Sequence, residues 1–224
     1  MNYRMSYENV YDAAEKMKAL EYLKAEPPKE TEITDLGDGI RVETVKCEKG
    51  EFNRFFKDGV LFFEHVSSSH HGYRFKEIIR HRNGHRYIAY HPDLYGIGFY
   101  DLDTDEHYEY IAEGYDPAGE SFIITDIHYD SEKDLIACGG CYWACPCGTI
   151  VFDLSDPLHF DPVAVYIRDV CMGDNDEDDE YDDDWDFVRW EEDGIVVRTD
   201  SEKREHFVST QEIRRALAKK HEEQ

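Results

Sequence analysis

Four thiols crowd into the segment Cys138-Gly139-Gly140-Cys141-Tyr142-Trp143-Ala144-Cys145-Pro146-Cys147-Gly148, with C-x2-C-x3-C-x-C spacing. Thiolates are good zinc ligands, and a pair separated by two residues has the spacing of a zinc knuckle. Zinc held by Cys138, Cys141, Cys145 and Cys147 is therefore one expectation. Its difficulty is the second half of the motif. Structural zinc sites draw ligands from two separated knuckles, whereas Cys145 and Cys147 follow at once and straddle Pro146, so the loop would have to curl back on itself. The competing expectation is that these cysteines behave as small hydrophobes lining a tight, glycine-rich loop. The C-x2-C-x2-C run of bacterial ferredoxins is absent, and the C-x-x-C lacks the βαβ context of thioredoxin-like redox proteins.

A second concentration of chemistry is acidic: Asp174, Asp176, Glu177, Asp178, Asp179, Glu180, Asp182, Asp183 and Asp184 lie within one short run. Like charges at this density repel one another and favour an extended, solvated segment. Clustered carboxylates would suit a hard cation such as calcium, but no register supplies both the glycine and the glutamate of an EF-hand loop. Docking of a basic protein partner is the sharper functional expectation.

Other candidates are weaker. His65, His70, His71, His81, His85 and His91 fit no zinc-hydrolase spacing such as H-E-x-x-H. His81, His85 and His91 with Asp93 would form a metal or acid-base site only if a hairpin brought them together. Ser67-Ser68-Ser69 lacks a nucleophile elbow, and Gly96-Ile97-Gly98 meets Asp101 where a dinucleotide-binding loop needs its third glycine.

The elements that must position these residues are mostly short strands. β-forming runs cover 39–45, 59–66, 73–81, 85–91, 95–102, 107–112, 121–129, 134–138, 149–154, 162–167, 187–190, 194–199 and 205–208. Turns such as Arg82-Asn83-Gly84 and Glu192-Asp193-Gly194 link them into a meander of hairpins, with no helix-length pattern between them. Val10, Ala13, Ala14, Met17, Leu20 and Leu23 have helical spacing, ended by Pro27-Pro28. Ser209 or Thr210 caps a closing helix through Ile213 and Leu217.

Composition agrees. The chain has 224 residues, of which 41% are hydrophobic and 14% aromatic, enough to bury a core without disulfide staples. With 51 acidic against 25 basic residues, its formal charge is -26, which repels phosphate backbones and anionic lipid heads. Neither nucleic acid nor a membrane surface is expected as a partner. No signal-type apolar run opens the sequence and no run is long enough to cross a bilayer, so a cytoplasmic location is expected.

Tyr87-Ile88-Ala89 matches Leu135-Ile136-Ala137, and Phe99-Tyr100-Asp101-Leu102-Asp103 matches Val151-Phe152-Asp153-Leu154-Ser155. The spacing is about 50 residues, and the second copy is longer in the loop that carries the cysteines. A strand ending in aromatic-Asp-Leu at this period resembles a blade of a β-propeller, although the Gly-His and Trp-Asp dipeptides of WD repeats are missing. Gly140-Cys141-Tyr142-Trp143-Ala144-Cys145-Pro146 also resembles a segment of uncharacterised bacterial proteins, a likeness that implies no activity.

The expectation is an all-β, mainly antiparallel protein with propeller-like or sandwich sheets over residues 39–208, a helical segment within 1–28 and a helix within 209–224. The leading functional reading is a non-catalytic adaptor or immunity-type protein that binds a basic partner. The alternative is a zinc metalloprotein or enzyme centred on the cysteine loop.

Overall fold

The computed structural model describes residues 13–67, 75–111, 122–142, 145–172 and 183–223. Four antiparallel sheets follow one another along the chain, and in each the strands are hydrogen-bonded in sequence order. Sheet 1 contains β1 (Glu30–Gly37), β2 (Ile40–Lys46), β3 (Glu51–Lys57) and β4 (Val60–Ser67). Sheet 2 contains β5 (Lys76–Arg80), β6 (Arg86–Tyr90), β7 (Gly96–Asp101) and β8 (His107–Ile111). Sheet 3 contains β9 (Ile123–Asp130), β10 (Leu135–Cys141), β11 (Cys147–Asp153) and β12 (Ala164–Tyr166). Sheet 4 has three strands, β13 (Trp185–Glu191), β14 (Gly194–Thr199) and β15 (Glu205–Ser209). The class is thus all-β and mainly antiparallel, and no closed barrel or propeller ring forms among the described residues.

The sheets stack face on face because successive side chains point to opposite sides of a strand. From sheet 2, Ile88, Tyr90, Tyr100 and Leu102 pack with Ile40, Val42 and Phe55 of sheet 1. The intervening residues Tyr87, Ala89, Ile97 and Phe99 pack the other way, with Ile136, Cys138, Ile150 and Phe152 of sheet 3. Sheet 3 repeats the device, since Leu135, Ala137 and Val151 join Trp185, Ile195, Val197 and Val208 of sheet 4. Sheets 2 and 3 are therefore buried on both sides, and β7 is buried at every position.

Tight turns close one end of the stack. Asp58 and Gly59 both have positive φ (50° and 83°), the pairing a type I′ hairpin turn demands. At that end side chains tie sheet to sheet. Arg80 donates to both Asp38 oxygens at 2.9 and 2.6 Å, Arg82 reaches Asp134 at 3.1 Å, and Arg214 bonds Asp153. The opposite end carries the connections Cys47–Gly50, His91–Tyr95 and Tyr142–Pro146, and there β4, β8 and β12 also finish.

Among the described residues, three α-helices flank the sheets. In α1 (Ala13–Lys24), Leu23 is fully buried against Val45, Cys47 and Phe52, while Met17, expected on the apolar face, is 68% exposed. The short α2 (Ile167–Met172) replaces the end of an expected strand. Ile167, Val170 and Cys171 stand at helical spacing and enter the core between sheets 3 and 4. In α3 (Thr210–Glu223) the cap is Ser209: its Oγ accepts from the Glu212 amide at 3.2 Å, and the Glu212 carboxylate accepts from the Ser209 amide at 2.9 Å. This reciprocal pair is a capping box.

Two strands were not anticipated. β1 is exposed at every position but Leu36 and is acidic, and β3 reads Glu-Phe-Asn-Arg-Phe-Phe-Lys, so polar residues mask its alternation. The sheet region therefore begins before residue 39.

Double burial has an energetic signature. Ile136→Ala, in the core between sheets 2 and 3, is expected to lower stability to urea by about 3 kcal/mol. Ile33→Ala, on a residue that is 61% exposed, should cost below about 0.5 kcal/mol.

Candidate functional site

The cysteine segment forms the β10–β11 hairpin, and the strand register decides where its thiols go. Cys138 lies opposite Ile150, and its side chain enters the core shared with sheet 2, where burial pushes the thiol pKa well up. Cys141 lies directly opposite Cys147 across the hairpin. Cys141 stands three positions after Cys138, an odd offset that sends them to opposite faces. Cys145 is exposed, and its amide donates to the Tyr142 carbonyl at 3.1 Å. The structure thus brings Cys141 and Cys147 together and holds Cys138 apart. Among the described residues no group of three or more His, Cys, Asp or Glu side chains is arranged to hold a metal ion.

The acidic run meets this hairpin at its far end. Asp174, Asp176, Glu177, Asp178, Asp179, Glu180 and Asp182 lie outside the described residues, but Asp183 and Asp184 are placed. Asp184 accepts a hydrogen bond from the Cys147 amide at 2.6 Å, and Asp183 accepts from the Ser201 amide at 2.9 Å. Next in the chain, the Trp185 carbonyl accepts from the Thr149 hydroxyl at 2.9 Å. Partial burial, then the carboxylate of Asp184, raise the Cys147 thiol to about 11, so the neutral thiol dominates near neutral pH. Burial and the neighbours Asp184 and Asp200 likewise raise Asp186.

A polar layer between sheets 1 and 2 was not foreseen. Across sheet 1 run Thr44, Asn53 and His65, consecutive cross-strand neighbours that are all buried. Across sheet 2 run Lys76, Tyr90, Gly98 and Glu109 in the same manner. The Thr44 hydroxyl donates to Asn53 Oδ1 at 2.7 Å, and Lys76 Nζ donates to the Thr44 oxygen at 2.8 Å. Tyr90 stretches over Gly98 to donate to Glu109 at 2.8 Å; a Cβ at position 98 would sit 2.5 Å from the Tyr90 ring. Lys16 of α1 closes the layer with an ion pair to Glu109. Burial works to raise Glu109, but the Lys16 ammonium, His65 and the hydrogen bond from Tyr90 together outweigh it, and the carboxyl ends below its ordinary value.

His65 is the titrating member. Its Nδ1 lies 3.1 Å from the Val66 carbonyl, and a carbonyl only accepts, so Nδ1 carries the proton and Nε2 is a bare lone pair. Neither His65 Nε2 nor Asn53 Nδ2 has a hydrogen-bond partner among the described residues. Burial drives the imidazole down to about 4, partly opposed by Glu109. Unpaired buried groups each cost about 1–3 kcal/mol, so this layer sets which faces meet more than it stabilises their meeting. Polar residues at inward strand positions were its sequence signal, hidden because β3 was not recognised.

The remaining candidates separate. His81 contacts the Leu154 carbonyl at 2.7 Å and His85 contacts Asp101 at 2.7 Å, both at the tight-turn end. His91 and Asp93 follow β6 at the other end, a strand length of roughly 16 Å away, so the four do not converge. No protein-family model and no curated protein matches the chain.

The linkage of His65 gives a testable sign. Between about 6.5 and about 4 the unfolded chain binds a proton at His65 that the folded chain refuses, so stability falls as pH falls through that window. The loss attributable to this residue is about 3 kcal/mol near pH 4 relative to neutrality. Urea unfolding of the parent and of His65→Gln across this range should show a shallower pH dependence in the variant.

Proposed function

We propose that this chain is a non-catalytic binding protein of adaptor or immunity type, whose acidic end engages a basic protein partner. The observation that carries this reading is how the charge is distributed. Basic side chains are largely consumed within the molecule: Lys24 pairs with Glu64, Lys29 with Glu48, Lys46 with Glu30, Arg54 with Glu43, Arg80 with Asp38 and Arg189 with Glu205. With 51 acidic against 25 basic residues, an acidic surplus remains once these pairs are made, giving the charge of -26. Its densest part, residues 174–184, leads into Asp183 and Asp184, which are tied to Ser201 and Cys147.

Anchoring favours recognition because a ligand segment held at its ends, by α2 on one side and by Asp183 and Asp184 on the other, loses less entropy on binding than a free tail. The same field opposes nucleic acid and anionic membranes, and no helix among the described residues is long and apolar enough to cross a membrane. A cytoplasmic location belongs to this proposal.

We also propose that the sheets descend from propeller blades. Tyr87–Ala89 and Leu135–Ala137 occupy the second strands of sheets 2 and 3, and Phe99–Asp101 and Val151–Asp153 end the third strands. Correspondence of both matches with strand rank supports a repeat of one four-stranded unit.

Neutralising the acidic residues of 174–184 to Asn and Gln should weaken capture of the partner, identified first by cross-linking in the source cell, at least tenfold at roughly 50 mM salt. Roughly 300 mM salt should weaken the parent similarly. Neutralising Glu30, Glu32 and Asp35 on β1 serves as the control. An equal loss from that control would show generic attraction and defeat the proposal.

A further inference from the structure

The geometry points to a modification site in the β10–β11 hairpin: Cys141 and Cys147 form a reversible cross-strand disulfide with a low-molecular-weight disulfide as oxidant. The two residues are direct partners in the antiparallel register. The Cys147 amide turns outward to Asp184 instead of across to Cys141, which marks a non-hydrogen-bonded pair, the kind whose side chains stand closer. Such pairs place their Cα atoms about 4.5 Å apart, inside the range a disulfide spans. The two residues already face each other in register, so closing the bond requires little backbone movement.

The other cysteines are placed differently. Cys138 is sealed in the core between sheets 2 and 3, Cys47 is buried beside Leu23, and Cys171 packs at α2. Cys145 is exposed but lies outside the paired strands. Only Cys141 and Cys147, among the described cysteines, face each other across a ladder.

The chemistry balances with oxidised glutathione as the probe. One protein thiolate attacks a glutathione sulfur, forming a mixed disulfide and releasing one glutathione thiolate. The second protein thiolate attacks the protein sulfur of that mixed disulfide and releases the other. Two protein thiols lose two protons and two electrons, and the glutathione disulfide is reduced to two thiols. Partial burial of Cys147 and then the carboxylate of Asp184 keep its thiolate scarce, so attack by Cys147 is slow near neutral pH and faster as pH rises. Once formed, the bond locks the hairpin position from which the Cys147 amide holds Asp184.

The test incubates the full folded chain with oxidised glutathione, then maps chymotryptic peptides without reduction; cleavage after Tyr142 or Trp143 separates the two cysteines. The expected product is a cross-link joining Cys141 to Cys147, lost in Cys141→Ser and in Cys147→Ser, retained in Cys145→Ser and reversed by a thiol reductant. Persistent glutathione adducts on Cys141 or Cys147, a cross-link through Cys145, or no reaction in the folded chain would each overturn the assignment. Cys145→Ser changes only an exposed residue, so it keeps the test interpretable if the other variants fold poorly.

Discussion

Burial of sheets 2 and 3 on both faces is the constraint on which the rest of the structure depends. An antiparallel sheet ordinarily shows water one of its faces, and its strands then alternate apolar with polar. Here β6, β7, β10 and β11 have apolar residues on both faces, because each inner sheet serves two neighbours. At about 25 cal/mol per Å² of apolar surface removed from water, such strands contribute far more per residue than the exposed β1. They also leave little room for charge, so ionisable groups lie chiefly at the ends of the stack, on its outer faces and edges, and in the polar layer between sheets 1 and 2.

The two ends divide the work. At the tight-turn end arginines reach from one sheet to acidic residues of the next, as Arg80 does to Asp38 and Arg82 to Asp134. Exposed pairs of this kind are worth about 0–1 kcal/mol each, so they orient neighbouring sheets more than they hold them together. At the other end the Cys141–Cys147 pair and the first placed residues of the acidic run meet through the Cys147–Asp184 contact. Features that looked independent along the chain thus share one locality, assembled by the register of β10 with β11 and by Trp185 entering the core of sheets 3 and 4.

Much of this was legible in the residues. Asn83-Gly84 and Asp193-Gly194 announced hairpins, and the spacing of Ile213 and Leu217 announced α3. What stayed hidden has physical causes. β1 carries acidic residues because it is an exposed edge, where charge discourages pairing with other chains. β3 hides Asn53 inside, since the layer it joins is polar and buried, and Glu51 is buried two positions before it. The six-residue α2 is too short to show a period. For the cysteines, composition suggested one four-thiol cage, but alternation along β10 assigns Cys138 and Cys141 to different faces. The opposition of Cys141 and Cys147 depends on a hairpin register that no motif spacing encodes.

The linear order of the sheets carries a further consequence. Among the described residues, the one sheet that sheet 1 packs against is sheet 2 and the one that sheet 4 packs against is sheet 3, whereas each inner sheet has two sheet neighbours. Cohesion of this nearest-neighbour kind resembles that of a short solenoid, in which the terminal units open most readily. Backbone amides of β6, β7, β10 and β11 will therefore exchange with solvent last, and β1 will fray while the centre still stands.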